Sequence, residues 1–240
     1  MERASPRGGT LYLVPNLLGA VEPERVLPAR TIDVARDLTH WVVETPKAAR
    51  AFLATLALQR PIAALDIRPL STGGHDGSAD TLALLRGGAD VGLLSDAGCP
   101  GIADPGASLV QAAHENAIRV VPLVGPSAIL LALMASGLNG QRFCFEGYVP
   151  AKTQARIDAL RALEQQSRTE RRTALFIETP YRNAALLRSM CETLAPRTRV
   201  CVAVDLTLDT ETVECRTVAG WRGEDGRRFD RRPAIFLLQA

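Results

Sequence analysis

Val91-Gly92-Leu93-Leu94 and the run after it, Ser95-Asp96-Ala97-Gly98-Cys99-Pro100-Gly101-Ile102-Ala103-Asp104-Pro105-Gly106, constrain this chain more than any other stretch. The first four residues are an apolar run that follows the Gly87-Gly88 break and read as a buried strand. The run from Ser95 is dense in Gly, Pro and Asp, and a helical pattern takes over at Ala107. A strand entering a Gly/Pro loop and then a helix is how an α/β sheet builds a binding site at the carboxyl ends of its strands. Glycine lets backbone approach a ligand, and proline holds a loop open without a partner for its nitrogen. Two carboxylates, Asp96 and Asp104, flank the loop.

The flanking segments repeat the alternation. Residues 10–15 (TLYLVP), 41–44, 61–65 and 118–123 read as strands, and 26–38, 47–58, 79–86 and 107–116 as helices. Thr45 is placed to N-cap the helix that Pro46 opens, and residues 71–78 (STGGHDGS) form a loop. Such alternation predicts a parallel sheet with helices on both faces. The pattern changes at Val124-Gly125-Pro126-Ser127, which sets a boundary between domains 1–124 and 125–240. Beyond it, a helix over 128–136 ends at Gly137, 143–149 is a strand and 153–168 a charged helix. Residues 173–178 form a buried strand whose Glu178 precedes a helix start at Thr179-Pro180-Tyr181-Arg182. Residues 199–206, 211–218 and 234–239 read as three strands with short connections, predicting an α+β second half with antiparallel pairing.

Several chemistries lack their signatures. No GxGxxG follows the first strand, no Walker lysine motif and no GxSxG elbow is present, and His40, His75 and His114 have no metal-ligand spacing. The five cysteines are scattered and never form CxxC, which argues against a zinc site or a disulfide framework. Cys144, Cys201 and Cys215 read as small buried hydrophobes, and Cys99 sits in the central loop. No apolar run reaches the ~18 residues of a membrane span, and the first nine residues lack a secretory core, so the cytoplasm is expected. A net charge of +2 gives little electrostatic argument for nucleic acid. The arginines at 222, 227, 228, 231 and 232 read as a solvated loop before a phosphate-binding patch.

What remains is carboxylate chemistry. Asp96, Asp104 and Glu178 can each serve as a base, or Asp96 and Asp104 can brace loop amides and Glu178 can pair with Arg182 across one helical turn.

LLSDAGCPGIADPG, VVPLVGPSAILLALMASGL and RFCFEGYVPAK closely resemble three consecutive signatures of the tetrapyrrole methylase fold, and LYLVPNLLG and FIETPYR resemble its opening and a later segment. Within that family the chain looks most like the enzymes that 2′-O-methylate a ribose in small-subunit ribosomal RNA. The resemblance implies two α/β domains with S-adenosyl-L-methionine in the cleft between them, and a homodimer. It places the cofactor against Leu18, against Cys99, Pro100, Gly101 and Ile102, against Ser127 and Ala128, and against Ile177, Ala203, Pro233 and Ala234. Asp96, Asp104 or Glu178 would take the acceptor's proton, and Tyr181 and Arg182 would position the acceptor. The acceptor-side segments depart from the ribosomal pattern at Asn16-Leu17-Leu18-Gly19-Ala20, at Glu44-Thr45-Pro46-Lys47 and at Leu70-Ser71-Thr72-Gly73. Three functions are therefore carried forward: methylation of ribose in RNA, methylation of a small molecule such as a tetrapyrrole, and cofactor binding without turnover. No metal and no membrane partner are expected.

Overall fold

The computed structural model describes residues 8–70 and 76–240, and the chain divides into two compact units, Met1–Ser127 and Ala128–Ala240. In the first unit, β1 (Thr10–Val14), β2 (His40–Val43), β3 (Asp66–Pro69), β4 (Val91–Leu94) and β5 (Arg119–Pro122) form one sheet. It is parallel throughout, in the order β3-β2-β4-β1-β5. The central strands β1, β2 and β4 are largely apolar on both faces because helices cover both. On one side α1 (Ala29–Asp37) and α2 (Pro46–Thr55) bring Ile32, Ala35, Phe52 and Leu53 against Val14, Trp41, Val43 and Leu94. On the other, α3 (Asp76–Arg86) and α4 (Ala107–Glu115) bring Leu82, Leu85, Leu109 and Ala113 against Leu11, Val42, Val91 and Leu93.

Four expectations are corrected here. Residues 61–65 are not a strand: Ile62–Ala64 is a 3-10 turn led by Pro61, and the strand is the following Asp66–Pro69. Its polar sequence, DIRP, suits an edge position paired only with β2, where an apolar run is not required. The helix expected from residue 26 begins at Ala29, because Pro28 fixes the extended backbone before it. Thr45 precedes Pro46 at the helix start as expected, but its hydroxyl does not cap the helix. Of the loop expected over 71–78, residues 71–75, including His75, lie outside the described residues, and α3 has begun by Asp76.

The second unit holds α5 (Ala128–Ser136), β6 (Phe143–Tyr148), α6 (Thr153–Glu170), β7 (Thr173–Ile177), α7 (Asn183–Thr193), β8 (Arg199–Val204), β9 (Thr212–Thr217), α8 (Val218–Trp221) and β10 (Ala234–Gln239). Its sheet runs β6-β7-β10-β8-β9, with β6 and β7 parallel and the other pairs antiparallel. Leu160 and Leu163 of α6 and Leu186, Leu187 and Met190 of α7 pack on Phe176, Val202 and Phe236. α5 packs on β8, β9 and β10.

The connection from β9 to β10 is not short. It carries α8 and a 3-10 turn, Arg227–Phe229, and it buries Trp221 and Phe229 completely. The Trp221 indole donates to the Val200 carbonyl at 2.9 Å. Three nearby arginines are committed: Arg216 lies over Trp221 and Arg228 over Phe229, both pair with Glu214, and Arg232 pairs with Asp205 at 2.8 Å. An arginine-rich stretch is thus a lid over two aromatic anchors.

Candidate functional site

β1 and β4 are neighbours in the sheet, yet the chain leaves them in opposite directions. From β1 it passes to β2 on one side, and from β4 it passes to β5 on the other. Adjacent parallel strands whose connections diverge leave a crevice outside their carboxyl ends, the usual place for a ligand in an open α/β sheet. The segments at that crevice are the exit of β1, from Pro15, and the loop from Ser95 to Gly106.

The two exits are stitched together. The Asn16 amide donates to the Gly98 carbonyl at 2.8 Å, and its buried side chain donates to the Ser95 and Asp96 carbonyls, each at 3.0 Å. Its side-chain oxygen accepts from the Leu17 amide at 2.7 Å. Asn16 therefore satisfies four backbone groups across two loops, a role that sequence reasoning missed. An asparagine directly after a strand-ending proline is the only local signal for it. Gly106 ends the loop at φ +129°, where a side chain would be strained and its Cβ would stand 2.9 Å from Leu93 Cδ2.

Three carboxylates gather beside this crevice. Asp96 is occupied: its Oδ2 accepts from the Thr45 hydroxyl at 2.7 Å and its Oδ1 from the Thr45 amide at 3.1 Å, while its own amide donates to Glu44 Oε2 at 3.0 Å. Asp96 braces the loop against the start of α2. Asp104 is half-buried, and its carboxyl is pushed up to about 6. Burial is the largest cause, the Glu44 charge the next, with a lesser contribution from Asp96, while a hydrogen bond from Ser95 opposes them. Like charges and partial burial keep a proton on Asp104 well above the usual carboxylate range.

A cavity of about 700 Å³ lies beside the same loops, walled by Leu17, Leu18, Val21, Ala51 and Phe52 and bordered by Asp96. Leu18 is thus on a cavity wall. Gly101 and Ile102 are partly open, with Ile102 52% exposed, while Pro100 is buried. The Cys99 thiol donates to the Pro126 carbonyl at 3.5 Å, and burial pushes its ionisation up, away from a nucleophilic thiolate. Ser127 is half-buried at the end of the first unit.

In the second unit the expected residues form a row and a turn. Ile177 on β7 and Ala203 on β8 both stand opposite Ile235 of β10, one register step from Ala234, so they share one line across the sheet. Pro233 accepts from the Asp205 amide at 3.0 Å, and Ala128, half-buried, opens α5. Glu178 is 4% exposed; its Oε1 accepts from the Thr179 amide at 2.7 Å and from Arg182 at 2.6 and 3.0 Å. Its Oε2 is buried without a hydrogen-bond partner among the described residues. Tyr181, 78% exposed, is free of this pair. Among the described residues no group of three or more His, Cys, Asp or Glu is placed to hold a metal ion, and no helix is long and apolar enough to cross a membrane.

The family model for Tetrapyrrole (Corrin/Porphyrin) Methylases matches residues 34–220. The ribosomal RNA small subunit methyltransferase I of Xylella fastidiosa is 35% identical over 235 residues, which span 96% of this chain and 80% of that one. The protein of the same name from Escherichia coli O157:H7 is 35% identical over 228 residues, 92% of this chain and 74% of its own. The solved uroporphyrin-III-C-methyltransferase of Thermus thermophilus superposes with a TM-score of 0.56 at 19% identity, covering 96% of this chain and 92% of its own, a likeness of fold.

Proposed function

The chain belongs to the tetrapyrrole methylase family and is a methyltransferase, and from that premise we propose that it moves a methyl group from S-adenosyl-L-methionine to a ribose 2′-hydroxyl of small-subunit ribosomal RNA. The names of its relatives support the acceptor. The observation that carries the chemistry is the Asp104 carboxyl at about 6 beside Glu44 and Asp96, a base poised near working pH.

The residues present fit the methyl donor. The loop at 99–102 offers backbone and the exposed Ile102 side chain, with its one thiol turned onto Pro126, a surface suited to an adenosyl group and free of competing nucleophiles. In the first unit the residues proposed to hold it are Leu18, Cys99, Pro100, Gly101, Ile102 and Ser127. When bound, S-adenosyl-L-methionine supplies a methyl group already activated by its sulfonium charge, so the protein contributes mainly alignment. Asp104 accepts the proton of the acceptor hydroxyl, and Glu44 and Asp96 strengthen its hold on that proton. The cavity beside Asp96 receives the acceptor nucleotide. In the second unit Tyr181 is exposed and available to position an acceptor, whereas Arg182 is paired with Glu178. We place the working protein in the cytoplasm, and as a homodimer, the dimer being supported by exposed Leu130 and Met134 on the apolar helix α5.

A second reading, a tetrapyrrole acceptor, is favoured by the apolar walls of the cavity and the small net charge. Labelled methyl donor, incubated with small ribosomal subunits from a strain lacking this protein and with uroporphyrinogen, separates the two. Nucleoside mass spectrometry should find a new 2′-O-methylribose. Label on the tetrapyrrole instead selects the second reading, and donor binding by calorimetry without transfer to either selects a binding module.

A further inference from the structure

Cys201 and Cys215 stand directly opposite each other on the antiparallel strands β8 and β9. Directly opposed residues in such a ladder have Cα atoms about 4.5–5.5 Å apart, inside the roughly 4.4–6.8 Å span of disulfides. Directly opposed side chains of a ladder lie on one face of the sheet, so the two sulfurs are within reach of each other. Cys201 is buried, whereas Cys215 is half-buried on the edge strand of the sheet. Arg199 lies on the same face, two residues before Cys201, and its Nη2 is 3.7 Å from Cys215 Sγ while Nη1 donates to the Gly137 carbonyl at 3.3 Å. The guanidinium is thereby held over one sulfur of the pair.

We propose that Cys201 and Cys215 are a modification site, a thiol pair that low-molecular-weight disulfides convert reversibly into a cross-strand disulfide. The roles of the two sulfurs are unequal. The Arg199 guanidinium 3.7 Å from its sulfur favours the thiolate of the half-buried Cys215, whereas burial pushes the Cys201 thiol up. The Cys215 thiolate is the attacking group: it displaces one thiolate from the small disulfide and becomes a mixed disulfide. Cys201 then loses its proton and attacks the Cys215 sulfur, expelling the second small thiolate. The two protein protons end on the two released thiols, and the small disulfide is reduced as the pair is oxidised. The product pins the edge strand to β8, the strand that carries Ala203. In a reducing compartment such a bond is transient, as befits a redox-responsive site. The site does not depend on which acceptor the enzyme methylates.

The test uses the full folded chain in a series of oxidised and reduced glutathione mixtures, quenched by alkylation and read by intact and peptide mass spectrometry. Two of the five cysteines should become resistant to alkylation within single chains, with one linked peptide pair joining Cys201 to Cys215, and dithiothreitol should restore all five. Cys201→Ser, or Cys201→Ala if that variant folds poorly, should trap one glutathione on Cys215. Five alkylatable thiols across the series, a link through Cys99, Cys144 or Cys191, or glutathione trapped on another cysteine overturns the proposal.

Discussion

The connections after β4 and after β7 share one local grammar, a buried strand, a carboxylate, and a helix beyond, yet they treat the charge in opposite ways. After β7, Glu178 is almost wholly buried and is held by Arg182 and the Thr179 amide, so its charge is compensated within four residues. After β4, Asp104 is only half-buried and has Glu44 and Asp96 for company, so its charge is opposed. A compensated carboxylate serves the fold, because its charge is answered by a fixed cation. An opposed one is free to exchange a proton near neutrality, at a cost to stability. Burial alone would have ranked the two residues the other way round.

Four measurements break or sharpen that contrast. Asp104→Asn has the largest expected effect, a fall in kcat of about 10²- to 10⁴-fold, the range for loss of a positioned base. The same variant should be more stable than the parent at pH 8. Folding raises the Asp104 carboxyl above its unfolded value, so the fold favours the protonated form, and the resulting penalty is complete above about pH 6 and fades as pH falls toward 4. A variant with full activity removes Asp104 as the base, and one less stable at pH 8 removes the opposition between the charges.

Arg182→Ala comes next. It leaves the Glu178 carboxylate buried without its cation and should cost about 3 kcal/mol in urea unfolding. Glu178→Gln in the same background should recover most of that, and failure to do so shows that the pair is not the reason. Third, wild-type kcat/KM should rise with pH through about 6, and Glu44→Gln should move that limb to lower pH by more than Asp96→Asn does, since Glu44 is the stronger of the two charges acting on Asp104. An unmoved limb assigns it to another group. The smallest effect belongs to Thr45→Val, which removes one exposed hydrogen bond to Asp96 and should lower stability by about 0.5–1 kcal/mol with kcat little changed.

Much of this fold is legible in the sequence, for a physical reason. A strand covered on both faces must be apolar throughout, so TLYLV, VGLL and TALFI announce themselves, and the helices between them follow from spacing and from Gly and Pro at their ends. β3 escapes because an edge strand can be polar, and the β9–β10 connection escapes because its arginines and aspartates hide Trp221 and Phe229. The loop after β4 is recognisable as a candidate site, and its aspartates as candidate bases. The division of labour between them is not legible, because it depends on Thr45 and Glu44, some fifty residues away in the chain. The same holds for Cys215, which reads as a buried hydrophobe until its register with Cys201 and the nearness of Arg199 are known.

Asn16 has a dynamic consequence. Because one side chain holds the carbonyls of Ser95 and Asp96 and its backbone holds Gly98, the two loops cannot open separately without stranding buried polar groups. They should unlock as a single cooperative unit, with the amides of Asn16 and Leu17 showing matched hydrogen-exchange protection. Anything that settles on one loop then quiets the other, and the two halves of the crevice respond to a visitor together.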